Sequence, residues 1–160
     1  MLLGLFSPLS IRVDLEERPY KLGEVIEFRL ELKPRGKVEV REGRIDLVCE
    51  ENYIETTFEV MPDLTGGSHG TTIGNSSVPL ARVPKRITKK HRNRFVHSSV
   101  VFLANTRLSA GLTSEARLLI RPEAPAHASD GKVKWTLEIT ADLAGSRDIT
   151  QKKPITVTTF

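Results

Sequence analysis

The chain has 160 residues, a net charge of +4 and a hydrophobic fraction of 39%. This length suits one domain with a sizeable core, and this composition excludes a largely disordered chain. No apolar run approaches the roughly 18 residues that a membrane span needs, and the apolar start at residues 1–6 lacks the basic residues and the length of a signal peptide. We therefore expect a single domain, residues 1–160, in the cytoplasm. The single cysteine, Cys49, cannot form an intrachain disulfide and fits a reducing compartment.

Apolar and polar residues alternate along most of the chain. In the first half the alternation covers residues 11–15, 26–32, 45–49 and 54–60. In the second half it covers residues 116–120, 133–141 and 155–157, and residues 100–103 are apolar throughout. Because successive side chains of a strand point to opposite faces, each alternating segment predicts a strand with one buried face. The run 100–103 predicts a strand that is covered on both faces.

Turn signals separate these segments, among them Lys21–Gly23, Glu42–Gly43, Ser109–Gly111 and Ala144–Ser146. No segment shows a sustained helical stripe. About eight strands with frequent turns predict an all-β fold, an antiparallel sandwich, with a barrel as the second choice.

Residues 61–94 interrupt the alternation. They are rich in glycine and hold seven Lys/Arg against one Asp, whereas residues 1–59 hold nine Lys/Arg against thirteen Asp/Glu. We expect a long Gly-rich and basic loop here, with a weak edge strand around residues 78–83 as the alternative, and a segment of this length inside a compact domain is usually functional or flexible.

The order of several short motifs resembles arrestin-like domains. In the first half these are an alternating strand at residues 11–15 and the stretch Tyr20–Ile26, followed by a strand at 44–48. In the second half, Leu108–Gly111 precedes a strand that ends in Ile120-Arg121-Pro122, and Lys132–Ile139 then resembles the family's "valine, x, tyrosine, x, leucine" strand with Trp135 in the aromatic place. The likeness is to a single-domain, divergent prokaryotic-type member, similar to the sporulation-control proteins of that fold. It implies an immunoglobulin-like sandwich that serves as an adaptor and has no catalytic residue.

The basic segment is the candidate binding site. Its cations are Lys85, Arg86, Lys89, Lys90, Arg92 and Arg94. They favour an anionic partner, namely phosphate on a partner protein, nucleic acid or an acidic membrane surface. No aromatic residue lies between Lys85 and Arg94, and single-strand nucleic-acid binders usually need aromatic stacking platforms, so we rank a protein partner above nucleic acid. The alternative without function is a solvated basic surface.

Neither a metal site nor an active site is indicated. The histidines His69, His91, His97 and His127 have no ligand-like spacing. Sequence neighbours such as Ser68 and His69, or His97 and Ser98, do not make a triad, and no nucleophile-elbow or phosphate-loop motif is present. We expect no cofactor, no metal and no enzyme activity.

The sequence therefore predicts a non-catalytic adaptor that binds a partner protein through sheet edges and the basic loop. Two alternatives stay open. One is binding of nucleic acid or an anionic surface through Lys85–Arg94, and the other is a structural subunit that self-associates through an exposed edge strand.

Overall fold

The computed structural model describes residues 7–59, 85–128 and 131–159. These residues form nine strands: β1 (Leu9–Asp14), β2 (Tyr20–Lys21), β3 (Val25–Pro34), β4 (Val38–Glu59), β5 (Lys85–Leu108), β6 (Leu112–Leu119), β7 (Lys132–Leu143), β8 (Ile149–Ile155) and β9 (Val157–Thr158). No helix occurs among them, and hence none that would cross a membrane.

Two antiparallel sheets make the sandwich. One has the order β1-β3-β6 and the other the order β5-β4-β7-β8. A two-residue parallel pairing of β2 with β9 is the exception to the antiparallel prediction. The predicted antiparallel all-β sandwich is otherwise confirmed.

The core lies between the two sheets. It is formed by every second residue along the strands, namely the residues that face inward. In β7, Trp135, Leu137, Ile139 and Ala141 are each at most 3% exposed, while the residues between them are partly exposed. Cys49, on β4, is fully buried among them, as its place in the alternation predicts. Burial of a side chain such as Leu137 contributes roughly 2–3 kcal/mol to folding.

The strand β4 is longer than predicted. The expected strand at 45–49 and the described part of the one expected at 54–60 belong to one strand of 22 residues, and the turn expected at Glu42–Gly43 is wrong. Gly43 lies instead at a register shift between β4 and β5. A Cβ atom at Gly43 would come within 2.6 Å of the Phe102 ring, so glycine is required here by close packing and not by a chain reversal.

The expectation that residues 100–103 are covered on both faces is also wrong. They lie in β5, which is the edge strand of its sheet, and Val101 on the outer face is 49% exposed.

The basic segment departs most from its prediction. Residues 85–94 do not lie in a loop, because β5 begins at Lys85 and pairs with β4 along its whole basic stretch. The proposed edge strand at 78–83, together with residues 60–84 as a whole, lies outside the described residues.

Candidate partner-binding surface

A two-stranded extension projects beyond the sandwich. The pairing of β4 with β7 ends where Asn52 meets Lys132, but β4 and β5 remain paired from Tyr53–His91 to Glu59–Lys85. We call residues 53–59 of β4 and 85–91 of β5 the β4–β5 ribbon. At about 3.3 Å per residue, its seven pairs extend roughly 23 Å.

Cross-strand register fixes the face on which each basic residue lies. Arg86, Lys90, Arg92 and Arg94 pair with Phe58, Ile54, Asn52 and Glu50 on the outer face of the sheet. Lys89 pairs with Glu55, which lies an even number of residues from buried Cys49 along β4 and hence on the same face. Lys89 and Lys85 therefore lie on the face of the ribbon that continues the core side of the sheet.

Two of the six basic residues are neutralised within the sheet. Arg92 forms an ion pair with Glu50, and this hydrogen bond holds the pKa of the Glu50 carboxyl below its usual value. Arg94 forms an ion pair with Glu138, which also lies 3.6 Å from the Lys152 ammonium. These arginines bridge strands, and they are therefore weaker candidates for partner binding than the sequence alone suggests.

The other four basic residues are directed at solvent. Lys85, Arg86, Lys89 and Lys90 are exposed, and none of them forms an ion pair within the part of the chain that the structure describes. The ribbon therefore carries four exposed cations that have no ion pair among the described residues.

Two large apolar side chains accompany Arg86 and Lys90 on the outer face. Phe58 is 66% exposed and pairs with Arg86, while Ile54 is 59% exposed and pairs with Lys90. Exposed apolar residues scattered singly are ordinary on a protein surface, but two on one face of a two-stranded ribbon beside free cations indicate a contact surface.

The opposite face of the ribbon is tied to the sandwich by stacked rings. The Tyr53 ring lies between His91, at 5.0 Å between centroids, and His127, at 3.4 Å. His91 Nε2 lies 2.6 Å from a Glu55 carboxylate oxygen, and the backbone N–H of His127 donates to buried Glu51 at 2.6 Å. These contacts hold the base of the ribbon in a fixed position.

A reciprocal pair of hydrogen bonds secures β5 just below the ribbon. His97, 3% exposed, is the extra residue at a register shift in β5. Its Nε2 donates to the carbonyl of Arg121 at 3.2 Å, while Arg121 Nε donates to the carbonyl of His97 at 2.6 Å. Burial is the main cause that lowers the pKa of His97, and its ring packs edge-on against Trp135 at 5.0 Å. His97 is therefore a buried side chain whose hydrogen bond to Arg121 is structural.

No constellation of reactive groups emerges from the described strands. No group of three His, Cys, Asp or Glu side chains in them is placed to hold a metal ion. Ser98 follows His97, but the His97 ring is engaged by Arg121 and not by the serine. Burial raises the pKa of the Cys49 thiol to about 12, which makes it a poor nucleophile. Ser68, His69 and Asp63 lie outside the described residues.

A groove of about 690 Å³ opens at the base of the ribbon, beside the end of β7. The cations that line it are Lys90, Arg92 and Lys132, and the remaining wall includes Tyr53 and Ile54. Sequence reasoning missed this groove, because Lys132 lies 38 residues after Arg94, where the basic segment ends, and only the register of β7 brings the two together.

Comparison with solved structures finds the sporulation control protein Spo0M of Bacillus subtilis. The TM-score is 0.63 and the identity is 15%, over 95% of this chain and 50% of that chain. The chain has an arrestin-like β-sandwich fold. The resemblance drawn from motif order is thereby confirmed at the level of fold, and the chain spans half the length of Spo0M. No family model and no curated protein sequence matches it.

Proposed function

We propose that this chain is a non-catalytic interaction module of the cytoplasm that binds a partner protein through the β4–β5 ribbon and the sheet edge that the ribbon exposes. The observation that carries the proposal is the set of four solvent-directed cations beside two exposed apolar side chains, on strands that extend past the sandwich. Aromatic residues and arginine are enriched where protein surfaces bind one another, and surface lysines steer the approach of an acidic partner.

The ribbon is suited to binding because its outer face has little part in the core. Phe58 and Ile54 are mostly exposed, so they contribute little to folding in the isolated chain. The stacked rings of Tyr53, His91 and His127 fix the base of the ribbon, which lowers the conformational entropy that a partner must overcome on binding.

Charge neutralisation tests this proposal. Lys85, Arg86, Lys89 and Lys90 are replaced together by Gln, because Glu at position 89 would oppose Glu55 across the ribbon. The matched control replaces four exposed cations outside the ribbon: Lys33, Arg35, Lys37 and Arg107. In affinity capture from the native cell, we expect proteins retained by the wild type and the control to be lost from the ribbon variant. Identical sets of captured proteins for all three would contradict the proposal.

Nucleic acid is the second candidate, and one observation favours it. The sequence shows no aromatic residue among the basic ones, but the register places exposed Phe58 beside Arg86, which offers a stacking surface next to a cation. Nucleic-acid binding predicts an affinity for oligo-dT that falls steeply as salt rises from 50 to 200 mM. The absence of a gel shift at 50 mM salt would exclude it.

A further inference from the structure

Beyond Tyr53, no strand among the described residues pairs with β4 on the side that β7 occupies elsewhere. At Tyr53 itself the edge is covered by Gly131, on which a Cβ atom would come within 2.6 Å of the Asn52 carbonyl oxygen. Backbone N–H and C=O groups at such an edge are directed sideways and can pair with another chain. The edge residues, among them Tyr53, Ile54 and Phe58, have high strand propensity, and residues 53–58 contain no Pro, Lys or Arg.

The other edge of the ribbon is protected against strand addition. It belongs to β5, which carries Lys85, Arg86, Lys89 and Lys90. Lysine-rich edge strands resist pairing with other chains. The contrast between the two edges indicates that an added strand would join β4.

The groove beside β7 determines the charge of the strand that would fit. It is continuous with the open edge, and no carboxylate lines it among the described residues. Among the described residues Lys90 and Lys132 form no ion pair, whereas Arg92 is held by Glu50. Lys90 and Lys132 share the outer face of the sheet, so a strand with acidic side chains on that face would complement the groove.

We propose that the edge of β4 from Ile54 to Phe58 accepts an extended acidic segment of a partner protein as an added strand, with its carboxylates held by Lys90 and Lys132. This proposal rests on the proposed function and specifies the partner chemistry and the site. The backbone edge favours a peptide over an anionic membrane, because an extended peptide supplies regularly spaced N–H and C=O groups that pair with those of the edge.

The probe is a fluorescein-labelled ten-residue peptide of alternating valine and glutamate, and its anisotropy is measured at 50 mM salt. We expect saturable binding that is at least tenfold weaker for two comparison peptides. These are an alternating valine–lysine peptide and an alternating valine–glutamate peptide N-methylated at every residue. The N-methyl groups remove the N–H donors from both edges of the peptide and keep its charge. Equal binding of the N-methylated peptide would overturn strand addition.

Two double variants locate the site. Lys90→Glu with Lys132→Glu is expected to weaken binding of the alternating peptide at least tenfold, while the exposed pair Lys33→Glu with Lys37→Glu is expected to leave it unchanged. Circular dichroism verifies that both variants fold. Unchanged affinity in the first variant would overturn the assignment, as would binding to phosphatidylserine vesicles in the absence of peptide binding. If the peptide fails to bind while neutralisation of the ribbon cations still removes captured proteins, strand addition is wrong and the proposed function stands.

Discussion

The buried histidine below the ribbon predicts a specific loss of stability in mild acid. Burial lowers the pKa of His97, so the folded state binds the proton less tightly than the unfolded chain does. As the pH falls through the ordinary histidine value of about 6.5, the unfolded chain takes up this proton first. The stability that neutral His97 confers is therefore complete above about pH 6.5 and is lost below it, down to the lower pKa of the folded state.

The magnitude follows from proton linkage and from the contacts of the ring. One proton difference between the two states changes the free energy of unfolding by at most about 1.4 kcal/mol per pH unit. His97→Gln removes the titration and keeps a side-chain N–H that can face the Arg121 carbonyl, but it loses the edge-on contact with Trp135, worth about 0.5–1.5 kcal/mol. We expect the free energy of unfolding of the variant to be about 1 kcal/mol lower than that of the wild type at pH 8. This difference should become smaller as the pH falls below about 6.5, because the wild type loses stability there and the variant does not.

Urea denaturation at half-unit steps from pH 5.5 to 8 measures this gap, with the m-value monitored to verify a two-state transition. The difference between wild type and variant cancels the titration of all other groups. Wild-type and His97→Gln curves that stay parallel from pH 8 to 5.5 would refute the assignment of a neutral, buried His97.

Three further outcomes are expected. Phe58→Ala should change the free energy of unfolding by less than about 0.5 kcal/mol because the ring is exposed, whereas Leu137→Ala should cost about 2–5 kcal/mol; equal losses in urea denaturation would show that Phe58 is a core residue. Gly43→Ala should destabilise the fold by about 1–3 kcal/mol because its Cβ meets the Phe102 ring, and Phe102→Ala should abolish that cost in a double-mutant cycle; additive losses would contradict the contact. The Cys49 thiol should react with a disulfide reagent at pH 8 only when urea unfolds the chain, and fast reaction of the folded chain would contradict its burial.

The core strands were predictable because they obey one simple constraint. Each has one face against the core, so Trp135 and Leu137 take every second position and period-two alternation shows them directly. Cys49 shares the parity of its apolar neighbours, and its burial followed from that alone.

The ribbon was not predictable by the same rule, since a two-stranded extension has solvent on both faces. Neither Lys89 nor Lys90 is buried, so no alternation marks the segment as a strand. What identifies it is pairing with Ile54 and Glu55, some 35 residues earlier in the chain, and such long-range register leaves little trace in the local sequence. The six basic residues are exposed, as their composition suggests. Which of them are paired could not be predicted, because Arg92 and Arg94 are neutralised by Glu50 and Glu138, and only the order of the strands in the sheet brings these carboxylates close.

The turn predicted at Glu42–Gly43 was wrong for a different reason. Glycine next to a charged residue between two apolar segments is typical of a turn, and the same pattern occurs where a ring must pack against the backbone. The deciding partner, Phe102, lies on the neighbouring strand and is remote in sequence.

The length of β4 has a consequence for hydrogen exchange. The same strand passes through the core at Leu47 and continues to Phe58 at the exposed end of the ribbon, so a single backbone crosses from the most protected to the least protected part of the sheet. Its amides should form a gradient, with exchange near the ribbon tip governed by local fraying and exchange near Leu47 by global unfolding. A ligand bound to the ribbon would slow amide exchange at the outer end of β4 and so reduce this gradient. The exchange rates along β4 would therefore report whether the ribbon is occupied.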